Sequence, residues 1–171
     1  MKRSIANRSG SSGATELSRE RSGTSGSIPG GKIVVVASRY NAKVCDALAI
    51  AAVQTLRSAG VDEDDIEVVR VPGAWELSLQ VARELERPEV IATIALGVVI
   101  KGDTTHDEHI NRAVSMSLMQ LGIDMLKPVA FGLLTCNTPE QATARAGGEV
   151  GNKGTEAAEA ALEMLRLDVE S

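Results

Sequence analysis

Ten residues near the middle of the chain, Ile-Lys-Gly-Asp-Thr-Thr-His-Asp-Glu-His at 100–109, hold both of its histidines. Gly102 allows a close backbone approach. Thr105 followed by Glu108 matches the S/T-x-x-E capping box, so a helix is expected to start here. Free backbone N–H groups at such a start attract anions, and phosphate is the common one. His106 would lie in the first turn, where the positive end of the helix dipole disfavours imidazolium. A neutral imidazole beside an anion site suits proton transfer. The alternative for His106 is an ordinary surface residue, which is also the reading for His109.

Three further segments carry groups of the same kind. In VPGAWE (71–76), Pro72 and Gly73 shape a tight turn into a helix. Trp75 could be a core residue, the usual fate of a lone tryptophan. Glu76 either complements a helix dipole or accepts hydrogen bonds from ligand hydroxyls. Tyr40 could stack on a planar ring or simply pack. In GNKG (151–154), Asn152 is a candidate helix cap. Lys153 then sits at the positive end of a helix, a rule broken without visible gain, which often marks function. Arg145 is either a second anion ligand or a solvated charge.

These groups need a scaffold, and the hydrophobic pattern supplies one. KIVVVAS (32–38) is a β-branched run, as in strands buried on both faces. Positions 41–59 repeat apolar residues at helical spacing, and Gly60 stops them. The unit recurs as strands at 66–71, 90–100 and 128–136, with helices at 74–86, 105–122, 138–146 and 152–167. Strand–helix alternation implies a parallel sheet with right-handed crossovers. Four parallel strands with helices on both faces make a three-layer α/β sandwich. Ligands in such folds sit at the carboxyl ends of strands. SRYN (38–41), VPGAWE, IKGDTTH and LTCNT (134–138) all leave strand ends. Two of the three aromatics, Tyr40 and Trp75, fall in these segments, and Phe131 lies within the last strand.

Composition narrows the class. The 171 residues suit one domain, and 43% are hydrophobic. Only 2% are aromatic, so the core must rest on Val, Ile, Leu, Ala and Met. Residues 1–31 hold eight Ser and six Gly, with five basic and two acidic residues. They show no apolar period and are read as a disordered basic tail rather than a transit peptide. The remainder, 32–171, is strongly acidic, which argues against nucleic-acid binding. No run reaches the ~18 apolar residues of a membrane span. Cys45 and Cys136 are expected as free thiols in a reducing, cytoplasmic compartment. No metal-ligand spacing occurs.

Taken together, VASRYN, VRVPGAWE, LGVVIKGDTTH, FGLLT, TPEQATARAG and GNKGTEAA resemble the lumazine synthase family in order and spacing, from about Lys32 to Leu167. The resemblance implies a flavodoxin-like sheet and a transferase of riboflavin biosynthesis. Members condense 5-amino-6-(D-ribitylamino)uracil with 3,4-dihydroxy-2-butanone 4-phosphate to 6,7-dimethyl-8-ribityllumazine, without metal or organic cofactor. Position by position, it implies that Tyr40 stacks on the pyrimidine. Ala74, Trp75 and Glu76 hold the ring and ribityl chain, and Val98, Val99 and Ile100 line the ring pocket. Asp103 and Thr104 form the phosphate loop through the backbone, and His106 transfers protons. Phe131 belongs to the ring site, Arg145 binds phosphate and Lys153 lies nearby.

Several positions depart from the family. Tyr40 stands where Phe is frequent, Lys101 where Arg is, Asp107 where an aromatic is and His109 where Tyr is. Asp103 places a carboxylate beside a phosphate, so its side chain must turn away. The usual N-terminal strand is not visible before Lys32. Members form pentamers with sites between neighbours, and some assemble twelve pentamers into a shell. The short RAGGEVGNKG run is like that of shell-forming members, and riboflavin synthase is the partner to consider. Two rivals share the scaffold: a riboflavin synthase of the same superfamily, which uses two lumazines, and a non-catalytic flavin or lumazine carrier. A carrier needs neither His106 nor Arg145.

Overall fold

A computed structural model describes residues 21–169. Strand β1 (Lys32–Ser38) is followed by helix α1 (Ala42–Ser58), β2 (Ile66–Val71), α2 (Leu77–Leu85) and β3 (Val90–Ile100). Then come α3 (His106–Met125), β4 (Val129–Cys136), α4 (Pro139–Ala144), a hairpin of β5 (Ala146–Gly148) and β6 (Gly151–Asn152), and α5 (Lys153–Val169). The four long strands pair in parallel in the order β2-β1-β3-β4. This is the expected three-layer, flavodoxin-like sandwich.

The two-residue period of β1 builds both cores. Ile33, Val35 and Ala37 face one side, against α1, α4 and α5. Val34 and Val36 face the other, against α2 and α3. All five are fully buried, and burying one such aliphatic side chain is worth about 1.5–3 kcal/mol. None of the three aromatics joins either core: Tyr40 is 71% exposed, Trp75 59% and Phe131 41%. A lone tryptophan usually packs inside, so its placement at the surface needs another reason.

Three local features differ from the spacing-based reading. Helix α2 starts at Leu77 rather than 74, because Pro72–Glu76 form a turn in which Glu76 Oε2 accepts the Gly73 N–H at 2.9 Å. The hairpin β5–β6 had no signal, being strands of three and two residues. Its positive φ values fall on Gly147 and Gly151, where glycine carries no Cβ penalty. Residues 21–31 of the basic tail pack on the domain, with Arg21 and Gly23 against α5 and Gly31 against Glu89 and Ile91. Gly23 is buried there with its carbonyl accepting from Arg166 Nη1 at 3.4 Å, and Ile28 packs on the α1/α5 core. Residues 1–20, the rest of the tail read as disordered, lie outside the described residues.

The amino ends of the strands are tied by charge. Arg87, just after α2, grips Glu67 of β2 through two nitrogens at 2.7 and 3.1 Å, and also reaches Glu84 and Glu89. Lys32 of β1 pairs with Glu67 at 2.6 Å. Arg87 first, then Lys32, hold the Glu67 carboxyl at about 2, far below its ordinary 4.5. The network lies at the opposite edge from the strand ends that carry the candidate chemistry.

Candidate functional site

At the carboxyl edge of the sheet, a cavity of about 440 Å³ opens between β3, the 72–76 turn and the start of α3. Tyr40, Ala74, Trp75, Val98, Val99, Ile100, Thr104 and His106 all line it. Eight of the thirteen sequence-chosen residues therefore meet in one place, although they span 67 positions of chain.

Local structure explains why each arrives there. Tyr40 ends the β1 turn, with its N–H on Pro72 O at 3.1 Å and on Ser38 Oγ at 3.1 Å. The Cys45 thiol donates to Tyr40 O at 3.2 Å, fixing the aromatic's backbone to α1. Burial pushes that thiol up to about 11, so it stays protonated as a donor at neutral pH. Asn41 takes a left-handed φ of 58°, which asparagine tolerates, and turns the chain from strand into helix. Trp75 sits on the turn rather than the helix, which is how it reaches the cavity instead of the core.

The wall that β3 gives the cavity depends on unequal strand pairing. Pairing of β3 with β1 stops at Leu96, whereas pairing with β4 runs on to Ile100. Gly97–Ile100 thus have a strand on one side only, among the described residues. Such an edge offers main-chain N–H and C=O groups to a ligand. Apolar side chains there can sandwich a ring while the backbone reads its polar rim.

The anion-ready turn also takes shape, with one correction. Helix α3 starts beside the cavity, but Thr105 makes no side-chain capping bond, so the capping box does not form. Thr104 Oγ1 instead accepts the His106 N–H at 3.4 Å. Gly102 and Thr104 line the cavity while Asp103 between them does not. His106 is exposed at the cavity mouth.

Other sequence-chosen residues lie outside this cavity. Glu76 is held by the Gly73 N–H. Arg145 caps α4, exposed, within electrostatic reach of the Cys136 thiol, whose pKa burial raises and Arg145 opposes. Lys153 pairs with Glu156 at 2.9 Å, which offsets its place at the positive end of α5. Asn152 Oδ1 accepts the Gly154 N–H at 2.8 Å, the capping expected of it. Phe131 lies on the edge strand β4, in a larger apolar groove of about 690 Å³ with Met119, Ile123 and Met164. That groove holds none of the acid–base groups singled out above, so the smaller cavity is the candidate site. Asn41, Gly73, Gly102, Asp107 and Ile110 also line it, and the sequence pointed to none of them as ligand contacts except Gly102. Among the described residues, no three of His, Cys, Asp or Glu gather as a metal site would need.

Fold and cavity together define a flavodoxin-like domain with a single cavity at the carboxyl edge of its sheet that gathers aromatic, aliphatic and histidine side chains. The family model described as 6,7-dimethyl-8-ribityllumazine synthase matches residues 30–168. Proteins named 6,7-dimethyl-8-ribityllumazine synthase are similar over most of their length. The one from Rhodopirellula baltica is 58% identical, covering 85% of this chain and 94% of its own. That of Gemmatimonas aurantiaca is 50% identical, covering 81% and 84%. That of Xanthomonas campestris pv. campestris is 46% identical, covering 80% and 88%. The chain belongs to the 6,7-dimethyl-8-ribityllumazine synthase family. No helix among the described residues is long and apolar enough to cross a membrane.

Proposed function

We propose that this chain is the transferase that condenses 5-amino-6-(D-ribitylamino)uracil with 3,4-dihydroxy-2-butanone 4-phosphate, giving 6,7-dimethyl-8-ribityllumazine, phosphate and water in riboflavin biosynthesis. The observation that carries this is the meeting of Tyr40, Trp75, Val98–Ile100, Gly102, Thr104 and His106 around one cavity. Tyr40 stacks on the pyrimidine, Val98–Ile100 line its slot, and Ala74, Trp75 and Glu76 hold ring and ribityl chain. The backbone of Asp103 and Thr104 holds phosphate.

The amine attacks the ketone carbon and water leaves, forming an imine. The C–O bond to phosphate then breaks, and the second nitrogen closes the ring with loss of water. His106 takes and returns the protons of these steps. Holding two reactants in line can itself supply roughly 7–11 kcal/mol of barrier reduction, so positioning is the larger part of the catalysis.

Arg145, Phe131 and Lys153 act on a neighbouring subunit's cavity in this reading. Their positions away from their own chain's cavity support a pentamer with sites between subunits. Exposed Met116, Met119 and Ile123 along α3 support it too, as an apolar stripe for a neighbouring copy. The short β5–β6 hairpin is compatible with twelve pentamers in a shell, and riboflavin synthase is the proposed partner. The buried, unpaired thiols of Cys45 and Cys136 favour the cytoplasm.

The test is direct. Purified protein given both substrates should form the fluorescent lumazine above the uncatalysed rate. A chain that converts lumazine alone to riboflavin would be the rival synthase. One that binds lumazine but forms none would be a carrier.

A further inference from the structure

Two walls of the cavity meet at a sulfur that lies behind them. Cys45, in the first turn of α1, is fully buried and does not line the cavity. Its thiol donates to Tyr40 O at 3.2 Å and packs in the same core cluster as Val98. Burial is the largest influence on the thiol and raises its pKa, while the Ser38 hydroxyl and the Val98 N–H lie near enough to oppose it. Pairing of β1 with β3 ends at Leu96, so the sulfur fills the fork that opens beyond. Tyr40 stands on one arm of that fork and Val98 on the other, and both line the cavity. Tyr40 is 71% exposed, so few contacts of its own ring aim it. Its backbone must do so instead. The N–H is held by Ser38 Oγ and Pro72 O, both at 3.1 Å, and the carbonyl by Cys45.

We propose that Cys45 is a positioning residue for the nitrogen substrate, its sulfur setting the spacing of Tyr40 from Val98 and thereby the width of the space that takes the pyrimidine ring. The inference rests on the proposed reaction and adds to it a residue that touches neither substrate. Width matters because a gap of about 0.5–1 Å already forfeits a quarter to a half of a dispersion contact. A small retreat of Tyr40 is therefore felt by a stacked ring. The butanone phosphate, held in that reading by the backbone of Asp103 and Thr104, makes no use of this spacing.

The experiment measures KM for each substrate in Cys45→Ala and Cys45→Ser, each in the intact protein. Alanine removes the sulfur and its donor. It should raise KM for the pyrimidine about fivefold, the effect of one neutral hydrogen bond. KM for the butanone phosphate should stay unchanged. Serine restores a donor at the same position and should recover part of the loss. The same alanine change is then made beside Tyr40→Ala. Without the ring there is nothing left to aim, so Cys45→Ala should add no further rise in KM for the pyrimidine. Additive rises would overturn the proposal, since Cys45 would then act through some other group. So would an unchanged KM for the pyrimidine, or equal rises for both substrates, the result of a general loosening of the fold. Should the alanine variants fail to fold, Cys45→Val fills the site without a donor and is read by the same two comparisons. Wild-type protein that forms no lumazine would instead remove the proposed reaction, a separate failure.

Discussion

The carboxylate of Glu76 accepts the backbone N–H of Gly73 at 2.9 Å. This bond closes the turn that carries Ala74 and Trp75 to the cavity, so the side chain expected to hold ribityl hydroxyls also shapes the wall beside them. Glu76→Gln keeps an acceptor for Gly73 and should retain the turn, raising KM for the pyrimidine modestly. Glu76→Ala loses the turn bond as well, at about 1 kcal/mol of stability. Its KM for the pyrimidine should exceed that of Glu76→Gln. Equal melting temperatures for the two variants would show that the turn holds without the bond.

The phosphate assignment predicts an asymmetric result for Arg145→Ala. Loss of a hydrogen bond between charged groups is worth about 1.5–3 kcal/mol, or roughly 10–100-fold in affinity. KM for the butanone phosphate should rise by that order while KM for the pyrimidine stays near wild type. Equal rises for both substrates would contradict the role. Because Arg145 lies outside its own chain's cavity, solution mass belongs beside the kinetics. A monomer with full activity would exclude the neighbouring-subunit reading.

His106→Ala should lower kcat by roughly 100-fold, the low end of what a positioned acid–base group provides. The low end is expected because holding the substrates together carries more of the reaction. KM values should change little. A variant with wild-type kcat would assign proton transfer to water or to another group.

Acid stability should depend on Glu67. Its folded-state pKa is depressed to about 2 from an ordinary 4.5, first through Arg87 and then through Lys32. The stabilisation from this group is therefore present above about pH 4.5, and it drains away as pH falls toward 2. The carboxylate is partly exposed, so the contribution is of order 1 kcal/mol, or about 2–4 °C in melting temperature. Thermal melts of Glu67→Gln and wild type should differ by that much at pH 7 and converge near pH 2. A constant difference across the range would mean that charge is not its source.

Gly154→Ala tests packing between α5 and α1. A Cβ at Gly154 would lie 2.0 Å from Leu48 O, a backbone atom with no freedom to withdraw. The substitution should lower the urea midpoint by an amount corresponding to about 1–3 kcal/mol, despite alanine's better helix propensity. A stabilised variant would show that the helix can shift away from α1.

Much of this was legible because it is written in periodicity. The β-branched run at 32–38 could only be an inner strand, and the strand ends then located Tyr40, Trp75 and His106 without further information. The hairpin at 146–152 was not legible, since strands of two or three residues leave no alternation to detect. Packing of 21–31 on the domain escaped for a related reason. It rests on the absence of a side chain at Gly23 and on a single Ile28, neither of which makes a pattern. Lys153 looked like a broken rule, yet Glu156 three residues on was a visible partner.

The four residues by which β3 outruns β1 have a longer reach than the contacts they make. Main-chain groups survive every substitution except proline at a donor position. Drift along Val98–Ile100 can widen or narrow the slot, yet it leaves the pattern of donors and acceptors on that wall unaltered. In the proposed reaction, recognition of the ring's rim is thereby inherited with the backbone and not with the side chains. An inhibitor designed to that rim would leave the protein few single substitutions through which to escape it.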